Sequence, residues 1–395
     1  MPPERLHWAH LYDEVVTTGL CTGCAGCIVA CPYDVLGYDS SGGRYRPFHV
    51  EADGGAAGCT HGERGCTLCA RSCPRFRSWE PEVDTFLFGR PRDESELSGI
   101  AREVVLLRAT DPQLRANGQD GGAVSAMLVW ALEHGIADAA LVSGTAGSGP
   151  GASAGPGTGA SAGSGSGPGA GWQAVPVVVR DRDGVLATSG SRYTYSANTL
   201  AAAEAVAAGA ERLALVGMSC MASVPATMAA RRAGKVARRF ALTIGLLCSK
   251  TFDDRIFDEL FAARYGLERA SIVKMNIKGV IQLWTSDGGY HEVPLKEAHA
   301  WTREGCTTCP DFAAEHADVS AGGIGAFPDW TLTLVRTERG AELVGAMREA
   351  GALEARPVAD DPGVLALLGR LSRASRRRWP AGADPAPRRI PVTAS

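Results

Sequence analysis

From about residue 100 onward the chain alternates short apolar runs with stretches of helical period. VVLLRA (104–109), AALVS (139–143), AVPVVVR (174–180), LALVG (213–217) and FALTIGLL (240–247) are short and apolar, and predict strands. AVSAMLVWALEHG (123–135) spaces its apolar positions as a helix does and ends at Gly135, a suitable C-cap. Strands alternating with helices predict an α/β domain. KMNIKG (274–279) sets Lys274 and Lys278 on one face of a strand. DFAAEHAD (311–318) has helical composition; Asp311, Glu315 and Asp318 then fall along one face, expected to be solvated.

Two stretches break this pattern. Residues 144–171 hold only Gly, Ala, Ser, Thr and Pro. Such a segment cannot bury enough surface to offset its ordering entropy, so a disordered loop between two strands is expected. The segment 372–395 carries RASRRRWPAGADPAPRR, basic and Pro-rich, and is expected to be a disordered tail; a docking arm for an acidic partner is the alternative. Residues 1–80 show neither period for long: brief apolar stretches separate closely spaced cysteines, as in a small ferredoxin-like module. The fold class expected is therefore α+β, a two-cluster ferredoxin-like domain followed by an α/β domain.

Composition narrows the setting. The 395 residues are 45% apolar with a formal net charge of −3, which gives no general argument for nucleic-acid binding. No run of about 18 apolar residues predicts a membrane span. MPPERLHWAHLYDEVV lacks an apolar signal core, so a cytoplasmic location is expected. In that compartment 12 cysteines read as reduced thiols for metal binding or catalysis.

The cysteines fall into three groups of four with none left over. CTGCAGCIVACP places Cys21, Cys24, Cys27 and Cys31 in the C-x2-C-x2-C-x3-C-P run of bacterial ferredoxins, which holds cubane iron–sulfur clusters. Three close thiolates wrap three corners of a cube, and small residues between them (Thr22, Gly23, Ala25, Gly26) are expected to let the backbone approach the sulfides. A zinc site normally uses two paired knuckles instead. CTHGERGCTLCARSCP supplies Cys59, Cys66, Cys69 and Cys73, with an excursion after the first ligand; His61, inside it, is the alternative to Cys59. In two-cluster ferredoxins the fourth cysteine of each run ligates the other cluster. On that rule one cluster takes Cys21, Cys24, Cys27 and Cys73, the other Cys31, Cys59, Cys66 and Cys69.

Cys220 and Cys248 follow apolar runs, so they are expected at the carboxyl ends of strands, the ligand-binding edge of open α/β sheets. CTTCP adds Cys306 and Cys309 from a loop. The four suit a third 4Fe–4S cluster, with zinc or plain core cysteines as competitors. Gly121 and Gly122 precede a helix, where free N–H groups favour a phosphate. Ser189, Ser191, Arg192 and Tyr193 in SGSRYTYS, with Lys274, Asn276 and Lys278, add hydroxyls, charge and an aromatic ring, a set that suits a phosphorylated aromatic cofactor. No Rossmann fingerprint follows a strand.

QDGGAVSAMLVWALEHGIAD, VGMSC, IGLLCSKTF, KMNIKG, CTTCPDFAAEHADVSAGGIGA and VRTERG together resemble the coenzyme F420 hydrogenase/dehydrogenase β-subunit family over residues 95–345. The chain departs from the family's frequent GxPCQ at Gly217-Met218-Ser219-Cys220-Met221, and from GSKY at Gly190-Ser191-Arg192-Tyr193. The resemblance implies FAD beside a 4Fe–4S cluster on Cys220, Cys248, Cys306 and Cys309, with F420 as hydride substrate. It also implies a redox partner: ferredoxin, or a hydrogenase or dehydrogenase subunit. F420 carries hydride and clusters carry single electrons, so a flavin is required between them. Lys274, Lys278 or Arg192 would stabilise the flavin or its phosphates. Two alternatives are a ferredoxin-dependent reductase of an organic double bond, and a non-catalytic electron-transfer subunit.

Overall fold

The computed structural model describes residues 5–50, 55–77, 79–145 and 172–380. In the N-terminal part, β1 (Leu36–Asp39) and β2 (Arg46–His49) pair antiparallel beside two short helices, Gly26–Val29 and Leu68–Ser72. Trp8, Leu11, Val15, Leu36, Ala70 and Phe76 form a core in which Cys27, Cys59, Cys69 and Cys73 take part.

The apolar runs build one eight-stranded sheet. Its strands are β3 (Glu103–Ala109), β4 (Ala139–Thr145), β5 (Ala174–Val179), β6 (Leu213–Met218), β7 (Phe240–Leu246), β11 (Val319–Gly322), β12 (Thr331–Val335) and β13 (Leu353–Pro357). The spatial order is β13-β3-β12-β11-β7-β6-β4-β5. β4, β6, β7 and β11 are mutually parallel, and the other pairings are antiparallel. Two antiparallel steps, β11 to β12 to β3, also align β3 with the parallel set. Buried parallel strands read as continuous apolar runs because both faces are covered. Ala140, Val142, Ala214 and Val216 face the helices Ala123–Glu133 and Glu338–Glu349. Their neighbours Ala139, Leu141, Leu213 and Leu215 face Ala201–Ala207 and Ser219–Ala230. The N-terminal part docks on this second face, where Cys24, Ala25, Tyr38 and Tyr45 join the same core.

Between β7 and β11 the chain builds an antiparallel meander, β8 (Ile272–Ile277), β9 (Val280–Thr285) and β10 (Tyr290–Pro294). Its inner face, Met275, Ile281, Leu283 and Val293, packs on Phe257, Phe261 and Trp301.

Three expectations change. Residues 311–318 are a chain of turns, not a helix, and Asp311, Glu315 and Asp318 are 2%, 1% and 2% exposed. The Asp311 carboxylate accepts the N–H groups of Ala314 and Glu315, and Ala314 sits at φ 54°, so the alanine-rich composition yields to a local turn. The basic tail begins later than 372, because an amphipathic helix, Val364–Arg376, buries Val364, Leu368, Ser372 and Ser375. β4 runs to Thr145; the rest of the Gly/Ala/Ser segment and the end of the tail lie outside the described residues. Among the described residues no helix is long and apolar enough to cross a membrane.

Candidate functional site

The thiols gather as three quartets. Burial pushes Cys27 well above its ordinary pKa, and Cys24, Cys73 and Cys21 crowd it further. Cys24 is raised to about 11, again by burial first and with Cys21 as a neighbour. These four make quartet one. Cys69 is raised by burial and by Cys66, Cys31 and Cys59, the members of quartet two. Quartet two lines a small cavity with Trp8, Tyr33, Leu36, His61 and Leu68. His61 stacks on Tyr33 with ring centroids 3.7 Å apart, and Tyr33 is 48% exposed. The excursion that carries His61 folds as the short helix Thr60–Glu63, so both Cys59 and His61 reach this cavity.

Quartet three lies at the sheet's carboxyl edge. Cys220 follows β6 in the first turn of the helix Ser219–Ala230, and Cys248 lies two residues past β7. After the meander, Cys306 arrives on the short helix Glu304–Thr307 and Cys309 just past its end, where a loop was expected for both. The four line a cavity of about 260 Å³ with Ser219, Thr251, Arg303 and Asp311. Burial raises Cys248 and Cys309, the latter to about 12. Cys306 is lowered despite burial, because Arg303 and the Thr251 N–H and hydroxyl stabilise its thiolate. The Thr251 N–H donates to Cys306 Sγ at 3.4 Å. Among the described residues no three His, Cys, Asp or Glu side chains converge tightly enough to hold a single metal ion.

The small residues around Cys24 serve protein packing. A Cβ on Gly23, at φ +68°, would meet the Tyr45 carbonyl oxygen at 2.3 Å. One on Gly26 would meet Val224 Cγ1 at 3.0 Å. The tyrosines explain the crowding: Tyr38 and Tyr195 both donate to the Gly23 carbonyl, at 2.8 and 2.9 Å.

Beside quartet three, the residues expected to hold a cofactor form a connected polar group. Asn276 Oδ1 accepts from the Tyr193 hydroxyl at 3.0 Å and from Gln119 Nε2 at 2.9 Å. Lys278 pairs with Asp120 at 3.2 Å. Burial raises Tyr193 to about 12, with Asp120 and Cys248 among its charged neighbours. Gly121 and Gly122, at φ 89° and 71°, turn the chain into the helix Ala123–Glu133. Ser191 touches Tyr193, and Ser189 Oγ lies 3.0 Å from Ser125 Oγ. Arg192 is committed to its own loop, donating to the Ser189 and Gly190 carbonyls. Lys274 lies over the Trp284 ring at 5.2 Å and, like Lys278, is a charged neighbour of Asp120.

Sequence reasoning missed Gln119, Asp120, Arg75, Arg303 and His316. His316 is buried, 2.9 Å from Asp84 and 3.2 Å from Ser223 Oγ. A signal existed for Arg75 and Arg303, which stand two residues after Cys73 and three before Cys306.

The chain matches the family model for the coenzyme F420 hydrogenase/dehydrogenase beta subunit N-terminus over residues 104–203. It matches the model for the C-terminus of that subunit over residues 210–361. It is 32% identical over 289 residues to coenzyme F420 hydrogenase subunit beta of Methanothermobacter thermautotrophicus, covering 71% of this chain and 93% of that one. It is 28% identical over 273 residues to coenzyme F420 hydrogenase subunit beta of Methanosarcina barkeri, covering 68% and 86%. A solved chain of the F420-reducing [NiFe] hydrogenase complex from Methanosarcina barkeri superposes with a TM-score of 0.62 at 26% identity, covering 73% and 92%.

Proposed function

The chain belongs to the coenzyme F420 hydrogenase/dehydrogenase beta-subunit family and is an F420-dependent oxidoreductase; we propose that it exchanges hydride with F420 at a bound FAD and passes single electrons through three 4Fe–4S clusters to or from a partner protein. The observation that carries this reading is the sorting of all 12 cysteines into three quartets, the third beside the Tyr193–Asn276–Lys278 group.

The residues fit such groups. Quartets two and three ring cavities instead of converging on a point, as a cluster requires and a zinc ion at about 2.3 Å from each sulfur does not. Arg75 is 2% exposed, and its Nε and Nη1 have no hydrogen-bond partner. A buried cation is costly unless an anion faces it, and a thiolate-bound cluster supplies one. Arg303 and the first turn of Ser219–Ala230 favour negative charge at quartet three in the same way. A bound flavin would supply the conversion between the hydride of F420 and single electrons.

The chain's own residues divide the remaining work. The Gly122 N–H already donates to the Gln119 carbonyl at 3.1 Å, so the two glycines turn the chain and it is the first turn of the helix Ala123–Glu133 that offers N–H groups to a phosphate. Tyr193, Asn276 and Gln119 fix each other's orientation at the sheet edge, and Asp120 holds Lys278 there. Arg192 shapes the 189–193 turn from within. Quartet two is the port to a partner, since Cys31 and Cys66 are partly exposed and Tyr33 stands at its cavity.

Anaerobic protein mixed with reduced F420 and a one-electron acceptor tests the reading. Turnover with bound flavin is expected. Flavin without F420 turnover would point to the ferredoxin-dependent reductase, and absence of flavin to a pure relay.

A further inference from the structure

Two arginines lie where quartets one and three meet: the guanidinium of Arg75 crosses from quartet one's loop to a sulfur of quartet three, and that of Arg303 joins a sulfur of its own quartet three to the backbone of quartet one's loop. Arg75 follows quartet one, and its backbone N–H donates to Cys73 Sγ at 3.4 Å. Its Nη2 donates to Cys309 Sγ of quartet three at 3.5 Å. Arg303 precedes Cys306, and its Nη2 lies 4.0 Å from Cys220 Sγ. Its Nη1 donates to the carbonyl of Thr22, between Cys21 and Cys24, at 2.6 Å.

Both guanidiniums are walled off from water. Trp79 covers Arg75 at 4.7 Å and Trp379 at 6.0 Å; the Tyr195 ring covers Arg303 at 3.7 Å. The carboxylates near Arg75 are engaged elsewhere: Asp311 with the N–H groups of Ala314 and Glu315, Glu80 with Arg376. Thiol sulfur is what remains for Arg75 to face; Arg303 faces thiol sulfur beside two neutral acceptors, the Thr251 hydroxyl and the Thr22 carbonyl.

We propose that Arg75 and Arg303 form an electrostatic bridge between the first and third clusters, which raises the reduction potential of the third and holds it one electron-transfer step from the first. This rests on the iron–sulfur reading of the two quartets. A reduced cluster carries one more negative charge than an oxidised one, so a fixed cation beside it favours the reduced form, most strongly where water cannot screen it. The transfer moves one electron: the third cluster is oxidised as the first is reduced, and no bond is made or broken. The potentials are set by the bridge and the direction by the partners.

Arg75→Met keeps the stem's bulk between the two tryptophans and removes the charge, an exchange that buried ions often tolerate. Arg75→Lys keeps the charge. Full-length protein is titrated anaerobically by EPR, with the third-cluster signal assigned by its loss in Cys248→Ser. At the wild-type midpoint, Arg75→Met is expected to lower the reduced-to-oxidised ratio of the third cluster at least about tenfold, or ~59 mV for one electron. The second cluster stays in place, and Arg75→Lys recovers at least half of the shift. An unmoved third cluster in Arg75→Met overturns the bridge. If Arg75→Met lacks that cluster while Arg75→Lys keeps it, the charge is required and the bridge stands; loss from both overturns it. Should Arg75→Met not accumulate, Arg75→Gln is judged by the same criteria. Wild-type protein without iron at the third quartet would sink the iron–sulfur reading itself, whereas a full set of clusters with an unmoved potential sinks the bridge alone.

Discussion

The inner quartets and the outer one are made from the same residue type but sit in opposite surroundings. Quartets one and three share Arg75 and Arg303, two cations enclosed by Trp79, Trp379 and Tyr195. Quartet two is walled by Trp8, Tyr33, Leu36, His61 and Leu68, and half-exposed Tyr33 marks its way out. Inside, where water cannot screen, fixed guanidiniums face the cysteine sulfurs. At the surface, aromatic rings shield the site and leave it within reach of a partner.

Removing one ligand from each side breaks the comparison hardest. Cys248→Ser is expected to suppress reduction of the partner by reduced F420 by at least the roughly 100-fold that loss of a mere outer-shell group can reach. Flavin content is expected to persist. Cys31→Ser should suppress partner reduction as strongly while the third-cluster EPR signal remains. Stopped-flow reduction and EPR on the two variants separate these outcomes.

Backbone packing sharpens it next. Gly23→Ala sets a methyl against the Tyr45 carbonyl at a left-handed position, which costs about 3 kcal/mol or more from strain and overpacking together. Gly65→Ala, beside quartet two, meets only the flexible end of Arg5, so its cost is the backbone strain at φ +106° alone, about 1–3 kcal/mol. Denaturant unfolding of the anaerobic holoprotein reads the difference, and equal losses would contradict the tighter inner packing.

The smallest effect is expected at the port. Tyr33→Ala removes the ring stacked on His61 and should slow reduction of a partner protein about fivefold to tenfold, the weight of an interface aromatic. Reduction of a small dye is expected to change little, and parallel steady-state assays with both acceptors check this.

The strands and the thiol groups were legible in the chain because their signals are local. Apolar runs such as LALVG and FALTIGLL sit in β6 and β7, and the ferredoxin spacing sets which thiols face one another. What escaped depends on distant partners. Arg75 meets Cys309 across 234 positions of sequence, so its place two residues after Cys73 signals quartet one and not the contact with quartet three. DFAAEHAD has a helix's composition, but the carboxylate of Asp311 takes its backbone N–H groups, and Arg92 and Arg376 bury Glu315. Gly23 and Gly26 read as room for sulfide, yet their missing side chains make room for Tyr45 and Val224, whose approach only the folded chain reveals. The cofactor group was legible in part: Tyr193, Asn276 and Lys278 meet, whereas Arg192 turns into its own loop.

Iron, acid-labile sulfide and flavin measured on one anaerobic preparation decide the matter. Three cubanes and one FAD predict about 12 irons, about 12 sulfides and one flavin per chain. Fewer than about 8 irons, or zinc at Cys220, Cys248, Cys306 and Cys309, would contradict the three-cluster relay.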